Sequence, residues 1–206
     1  AHLDITQGVT GSITGIGVDI GTNDGLVSAT DIVANGYPPA VNATSTADNA
    51  VNINKSLTGG NYVVSNILLR FDTSAVPDNA TFESASLHCT LVRASDDDAR
   101  SLQWEYYTWG SVSNNHFEHI GQANAAASLD ITSISATPNN TSFPLTNLHH
   151  INKAGETGFR AHISGSTPTG SNAVTFQMFE GGDTCTLNVT YFLDKRFNYY
   201  VAHDDG

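Results

Sequence analysis

Basic side chains are scarce in this chain. Only 8 of its 206 residues are Lys or Arg, against 20 Asp and Glu, so the formal charge at neutral pH is −12. Phosphate backbones and anionic membrane surfaces attract cationic proteins instead. The charge therefore argues against nucleic-acid binding and against a membrane partner. It is typical of a protein exposed to salt-rich water or of one that holds Ca²⁺.

Long apolar runs, a basic leader and abundant cysteine are also missing. No stretch approaches the roughly 20 apolar residues that span a bilayer. The segment from Ala1 to Asp4 lacks the basic start and apolar core of a secretory signal. Either such a signal has been removed, or the chain lost only an initiator Met. Cys89 and Cys185 occupy apolar positions of strand-like segments, which favours buried free thiols over a disulfide.

Familiar catalytic motifs are absent as well. The chain has no G-x-S-x-G, no H-E-x-x-H and no phosphate-cradling glycine loop. His116, Glu118 and His119 come nearest to a metal cluster, but on an extended backbone His119 points away from the other two. Two ligands are too few for zinc. We therefore expect a protein that is not an enzyme.

What the chain does have is an alternation of apolar and polar residues. Between Ile67 and Val92 two such runs, 67–71 and 84–91, are separated by the turn-forming Pro77-Asp78-Asn79. A period of two predicts half-buried strands, because successive side chains point to opposite sides of a pleated backbone. We interpret the two runs as an antiparallel pair with one face in the core.

Further runs of the same kind follow along the chain. They predict roughly eight to ten short antiparallel strands in an all-β sandwich, with 145–154 as the only helical turn. Residues 1–35 are interpreted as an N-terminal arm on a neighbouring subunit or as an added strand. Residues 36–193 are predicted to form the sandwich. Residues 194–206 are interpreted as a C-terminal tail with no place in a sheet.

The organising segment also resembles a known family. LLRFDTSAVPDNATFESASLHCTL, at 68–91, is similar to the signature of the DNRLRE-type carbohydrate-binding modules, with its LLRFD-like strand, Pro-containing turn and S-A-x-L strand. The segments GFRAHISG and AVTFQMFEGGDTCTLNVTY resemble the closing strands of that family. The resemblance covers about residues 40–192 and implies a jelly-roll sandwich that binds rather than catalyses. The family's usual proline before the last strand is missing, and its Trp-rich segment survives only as Trp104 and Trp109.

Related jelly rolls also occur in bacteriophage structural proteins. Together with the arms at both ends, this favours a virion component: a capsid decoration, head-fibre or tail-fibre subunit that forms a trimer or dimer and contacts other virion proteins. The alternative is a secreted, extracellular carbohydrate-binding module that acts on a polysaccharide, with Ca²⁺ as an optional ligand.

Aromatic residues near the middle of the chain are the candidate glycan contacts. Strand parity places Trp104 and Tyr106 on one face and Tyr107 and Trp109 on the other. One pair should be core, since aromatic rings dominate core burial. We predict that Trp104 is buried and that Tyr107 and Trp109 lie nearer the surface, available to stack on sugar rings.

Three consecutive carboxylates, Asp96, Asp97 and Asp98, are the candidate cation ligands. Adjacent like charges repel each other and favour water or a cation, which predicts a loop tip. Ca²⁺ takes six to eight oxygen ligands, and loop carboxylates together with backbone carbonyls can supply them. The sequence therefore offers this triplet as a Ca²⁺ site, with a solvated loop as the alternative.

Overall fold

The computed structural model of the chain describes residues 2–17, 25–39, 42–45, 50–110, 121, 123–177 and 185–200. In these ranges the protein is all-β, and every strand pairing is antiparallel. The strands are β1 (His2–Gly17), β2 (Gly25–Ile32), β3 (Asn42–Ser45), β4 (Ala50–Thr58), β5 (Asn61–Asp72), β6 (Ala80–Asp96), β7 (Ser101–Tyr106), β8 (Ala123–Asn124), β9 (Leu129–Asp130), β10 (Asn139–Pro144), β11 (Glu156–Ile163), β12 (Asn172–Gln177) and β13 (Cys185–Tyr200).

One curled sheet contains all of these strands. Its order is β1-β13-β6-β12-β4-β5-β11-β7-β8, with β10 beside β6, β2 beside β5, β3 beside β2 and β9 beside β7. The curl lets β6, β10 and β12 face β5, β7 and β11 across one hydrophobic core. The predicted all-β jelly-roll-like sandwich is therefore confirmed. Strands of two to four residues, such as β3, β8 and β9, are too short to show a periodicity in the sequence, so their number was underestimated.

Trp104 lies at the centre of this core and is only 1% exposed. Its ring meets Phe143 of β10 and Phe176 of β12 edge-on, with centroids 5.5 and 5.8 Å away. Neither strand is a hydrogen-bonded neighbour of β7, so these contacts join the two halves of the sandwich. Edge-to-face aromatic pairs add about 0.5–1.5 kcal/mol beyond the area they bury. The prediction that Trp104 is buried is confirmed.

The two cysteines face each other across neighbouring strands. Cys89 of β6 is directly opposite Cys185 of β13 in the register. Both are buried and free, as the alternation predicted. Burial raises the pKa of the Cys89 thiol, with the neighbouring Cys185 adding to the effect, so this group behaves as a small apolar core residue.

The interpretation of β5 and β6 as an antiparallel pair is wrong. β5 is hydrogen-bonded to β2, β4 and β11, whereas β6 is hydrogen-bonded to β10, β12 and β13. The connection between them crosses from one half of the sandwich to the other. It is held by Thr73, whose backbone N–H donates to Gly155 O at 2.9 Å, and by the buried Val76. Alternation reports which side chains face the core, but not which strand lies alongside.

Two further segments differ from expectation. The segment from Asp194 to Tyr200 was interpreted as a tail outside any sheet, but in the structure it continues β13 and pairs with β1 of the same chain. Its mixture of charged and aromatic residues lacks a clear alternation, so only the partner strand reveals it. The predicted helical turn at 145–154 is a 3₁₀ turn at Leu148–His150. Within the described ranges no helix is long and apolar enough to cross a bilayer.

Candidate functional site

Asp98 lies in the connection between β6 and β7 and is a hydrogen-bond hub. Its Oδ1 accepts from Thr169 Oγ1 at 2.5 Å, and its Oδ2 accepts from Thr169 N at 3.0 Å and from Asn172 Nδ2 at 2.8 Å. Gly170 N and Arg100 Nε donate to the same Oδ2 at 3.3 and 3.2 Å. These bonds, first of all that from the Thr169 hydroxyl, hold the pKa of Asp98 well below its usual range. The carboxylate therefore joins two loops of this chain.

The other two aspartates use different partners. Asp97 Oδ2 accepts from Ser171 N at 2.8 Å, and Asp96 Oδ1 accepts from Arg100 N at 2.8 Å. Across the described ranges no three His, Cys, Asp or Glu side chains are grouped so that they could hold a metal ion. The carboxylates of Asp96, Asp97 and Asp98, the residues offered as Ca²⁺ ligands, thus each accept hydrogen bonds from donors of this chain. Neighbouring residues of an extended chain project in different directions, and each carboxylate meets its own protein donor.

Tyr107 and Trp109 are also placed differently from the prediction. They are 7% and 8% exposed, and their rings stack on each other with centroids 5.6 Å apart. Together with Val27 and Leu68 they form a small second core on the outer side of the sheet. Arg70 holds them there, with its guanidinium carbon 4.8 Å from the Trp109 ring and its Nη2 donating to Trp109 O.

These contacts overturn the prediction of a surface glycan platform at Tyr107 and Trp109. Strand parity placed the two residues correctly on the opposite face from Trp104. However, the two rings pack against Val27 and Leu68, and the Arg70 guanidinium lies over Trp109, which a count of alternation cannot reveal. A ring with less than a tenth of its surface exposed cannot offer its face to a sugar.

Two histidine-containing segments remain to be placed in the structure. His116, Glu118 and His119 lie outside the described residues. His149 and His150 belong to the 3₁₀ turn, where their ring centroids are 4.2 Å apart, and His150 stacks on Tyr106 at 5.2 Å. These two rings therefore cap the edge of the core.

The first and last strands form a feature that the sequence did not indicate. β13 pairs with both β1 and β6 as far as Leu193, which is opposite Ala80 at the start of β6. Beyond that point residues 194–200 pair only with residues 2–8 among the described strands. We call this pair of segments the terminal ribbon. At about 3.3 Å per residue it is roughly 20 Å long.

A pocket of about 330 Å³ opens beside β4, β5 and β11, and we call it the cationic pocket. Tyr37 and Pro38, which follow the 3₁₀ turn Val33–Asn35, form one side of it. The remaining lining residues come from three strands: Lys55, Val64, Asn66, Arg160 and His162. The chain has only eight Lys and Arg, so two of them in one small pocket are a local reversal of a net charge of −12. Lys55 and Arg160 are far apart in sequence, and only the order β4-β5-β11 brings them together.

Comparison with models of protein families finds no match to the chain, and comparison with curated proteins finds none either. The class that the structure itself defines is an antiparallel jelly-roll-like β-sandwich. Two features mark its surface: the terminal ribbon and the cationic pocket.

Proposed function

We propose that the protein is a non-enzymatic structural subunit of a bacteriophage particle: a capsid decoration, head-fibre or tail-fibre protein that assembles with copies of itself and with other virion proteins. The terminal ribbon is the observation that carries this proposal. Further support comes from the jelly-roll-like sandwich and from the resemblance of 68–91 to a signature whose relatives include phage structural proteins.

The terminal ribbon has the properties of an assembly element. A two-stranded ribbon is marginally stable by itself in water, because it lacks a third strand or a core beneath it. Both of its edges carry backbone groups with no further strand partner among the described residues. Such edges invite the addition of a strand from another chain, since each added N–H···O bond contributes about 0.5–1.5 kcal/mol.

A second copy of this chain is the partner we assign to the ribbon. Every copy carries the same ribbon edges, so identical strand contacts between copies can form a closed dimer or trimer. Appendages of a particle take up such symmetric arrangements. The predicted location is therefore the virion.

The test compares the full chain with a variant that lacks residues 1–8 and 194–206. Light scattering coupled to gel filtration should show a dimer or trimer for the full chain and a monomer for the variant. The near-ultraviolet circular dichroism of the buried Trp104 should be the same in both, which controls for folding. A monomeric full chain, or an oligomer that survives the deletion, would contradict assembly through the ribbon. Mass spectrometry of purified particles that never detects the protein would contradict the virion location.

A secreted carbohydrate-binding module is the second candidate. The cationic pocket favours it, because cationic and amide side chains beside an aromatic ring suit a polar sugar. Binding to a glycan array with and without Ca²⁺ would test this role. A gene that encodes a signal peptide ahead of the present Ala1 would support secretion, and an array silent in both conditions would refute it.

A further inference from the structure

The cationic pocket is built around a buried arginine. Arg160 is 7% exposed and lies opposite Glu105 in the pairing of β11 with β7. Its Nε is 3.4 Å from Glu105 Oε2, which is within ion-pair range but too far for a good hydrogen bond. In the described part of the chain Nε and Nη1 of Arg160 have no hydrogen-bond partner. Two buried guanidinium nitrogens without a hydrogen-bond acceptor are costly even beside Glu105, so this group gains from a further acceptor.

Lys55 supplies the second positive charge. Its Nζ donates to Gly165 O at 2.8 Å, which uses one of the three ammonium protons and leaves two for other acceptors. Burial, followed by the charges of Arg100 and Arg160, lowers the pKa of Lys55 to about 8. The ammonium is thus mostly charged at neutral pH, although it is poorly solvated and lies among other cations. An anion nearby would relieve that cost.

Counting the charges indicates the valence of the ligand. Lys55 and Arg160 contribute two positive charges and Glu105 one negative, and His162 Nε2 is 3.4 Å from Glu105 Oε1. Among Lys55, Arg160 and Glu105 one positive charge remains in excess, which a single carboxylate would balance. A phosphate dianion would leave an unbalanced negative charge beside Glu105 in a protein that is already strongly acidic.

We propose that the cationic pocket binds the carboxylate of an acidic sugar residue, a hexuronate, with Lys55 and Arg160 at the carboxylate and Tyr37 beside the sugar ring. The volume of about 330 Å³ is at the small end for ligand pockets and suits one sugar ring. Tyr37 is half-buried and braced edge-on by Tyr62, with ring centroids 5.3 Å apart. A braced aromatic ring offers an apolar surface at little entropic cost.

This site extends the proposed function without depending on it. A virion subunit and a secreted module could both use such a pocket to contact an acidic polysaccharide. The oligomer measurement does not involve the pocket, and the binding measurement does not involve the ribbon. The two proposals therefore fail separately.

The test is isothermal titration calorimetry on the full chain at pH 7 and 0.15 M NaCl. Glucuronate is the probe, and glucose, acetate and inorganic phosphate are titrated beside it. We expect saturable binding of glucuronate, weaker binding of acetate and none of glucose. Binding of glucose as tight as that of glucuronate, or no saturable binding of glucuronate, would overturn the proposal. Phosphate binding tighter than glucuronate would also overturn it, and would assign the pocket to an inorganic oxyanion.

Matched variants separate the pocket from general charge effects. Lys55→Gln should weaken glucuronate binding about tenfold, the usual effect of losing one charge-assisted hydrogen bond. Lys153→Gln is the control, because Lys153 lies outside this pocket and likewise donates to backbone carbonyls, those of Asp78 and Ala80. Tyr37→Leu should weaken glucuronate binding and leave acetate binding unchanged. Equal effects of Lys55→Gln and Lys153→Gln would refute the site even if glucuronate binds.

Discussion

Replacing Asp98 with Ala should lower the free energy of unfolding by about 3 kcal/mol. Thr169 is exposed, so water can replace the carboxylate at its N–H and hydroxyl at little cost. The buried donors matter more. Arg100 is 8% exposed and Asn172 is 0% exposed, and each loses an acceptor that water cannot easily replace. A buried donor left without a partner costs about 1–3 kcal/mol, and each of these two retains backbone acceptors that moderate the loss.

Urea denaturation of both proteins at pH 7 measures this difference. Asp98→Asn should cost roughly half as much, because it retains an acceptor but loses the charge that doubles the strength of these bonds. Asp97→Ala is the matched control. That carboxylate is exposed and accepts a single backbone bond, from Ser171, so we expect a loss below about 1 kcal/mol.

The effect of Asp98 should also depend on pH. Because its pKa is depressed in the folded state, its contribution is complete above the ordinary carboxyl pKa of about 4. The contribution then disappears as the pH falls through the folded-state value. The difference between the wild type and Asp98→Ala should thus shrink below about pH 4. A variant within about 1 kcal/mol of the wild type at pH 7, which is the contribution of about one hydrogen bond, would refute this role of Asp98. A difference that is unchanged at pH 3 would refute it as well.

Two further predictions concern the packing at Gly158 and the pH dependence of glucuronate binding. Gly158→Ala should destabilise the fold by about 1–3 kcal/mol in urea, because a Cβ there would lie 2.3 Å from the Tyr107 carbonyl oxygen. Gly110→Ala should leave the unfolding midpoint unchanged, because no atom of the described residues lies within 4 Å of a Cβ added there. Equal midpoints for the two variants would contradict the packing. Between pH 7 and 9 the affinity for glucuronate should fall once Lys55 deprotonates near pH 8. Lys55→Gln should remove this dependence, and a slope that persists in the variant would contradict the role of Lys55.

The contacts of the aspartate triplet and the cationic pocket could not be predicted from the sequence, for a physical reason. The triplet Asp96, Asp97 and Asp98 stands out in the sequence, but whether adjacent carboxylates meet a cation or protein donors depends on the loop packed against them. Here residues 169–172, distant in sequence, supply the donors to Asp97 and Asp98. The cationic pocket gives no local signal in the sequence. Lys55 and Arg160 belong to β4 and β11, which only the sheet order β4-β5-β11 brings close together.

The sequence by itself determined the all-β class, the core-facing side of β6 and β7, the burial of Trp104 and the burial of both cysteines. These properties follow from a period of two, which an alternating strand carries within its own residues. The tertiary structure alone decided that β5 and β6 lie in opposite halves, that Tyr107 and Trp109 are covered, and that 194–200 pairs with β1. Strand pairing is set by hydrogen bonds and packing between distant segments, and the alternation within one strand is the same whichever neighbour it has.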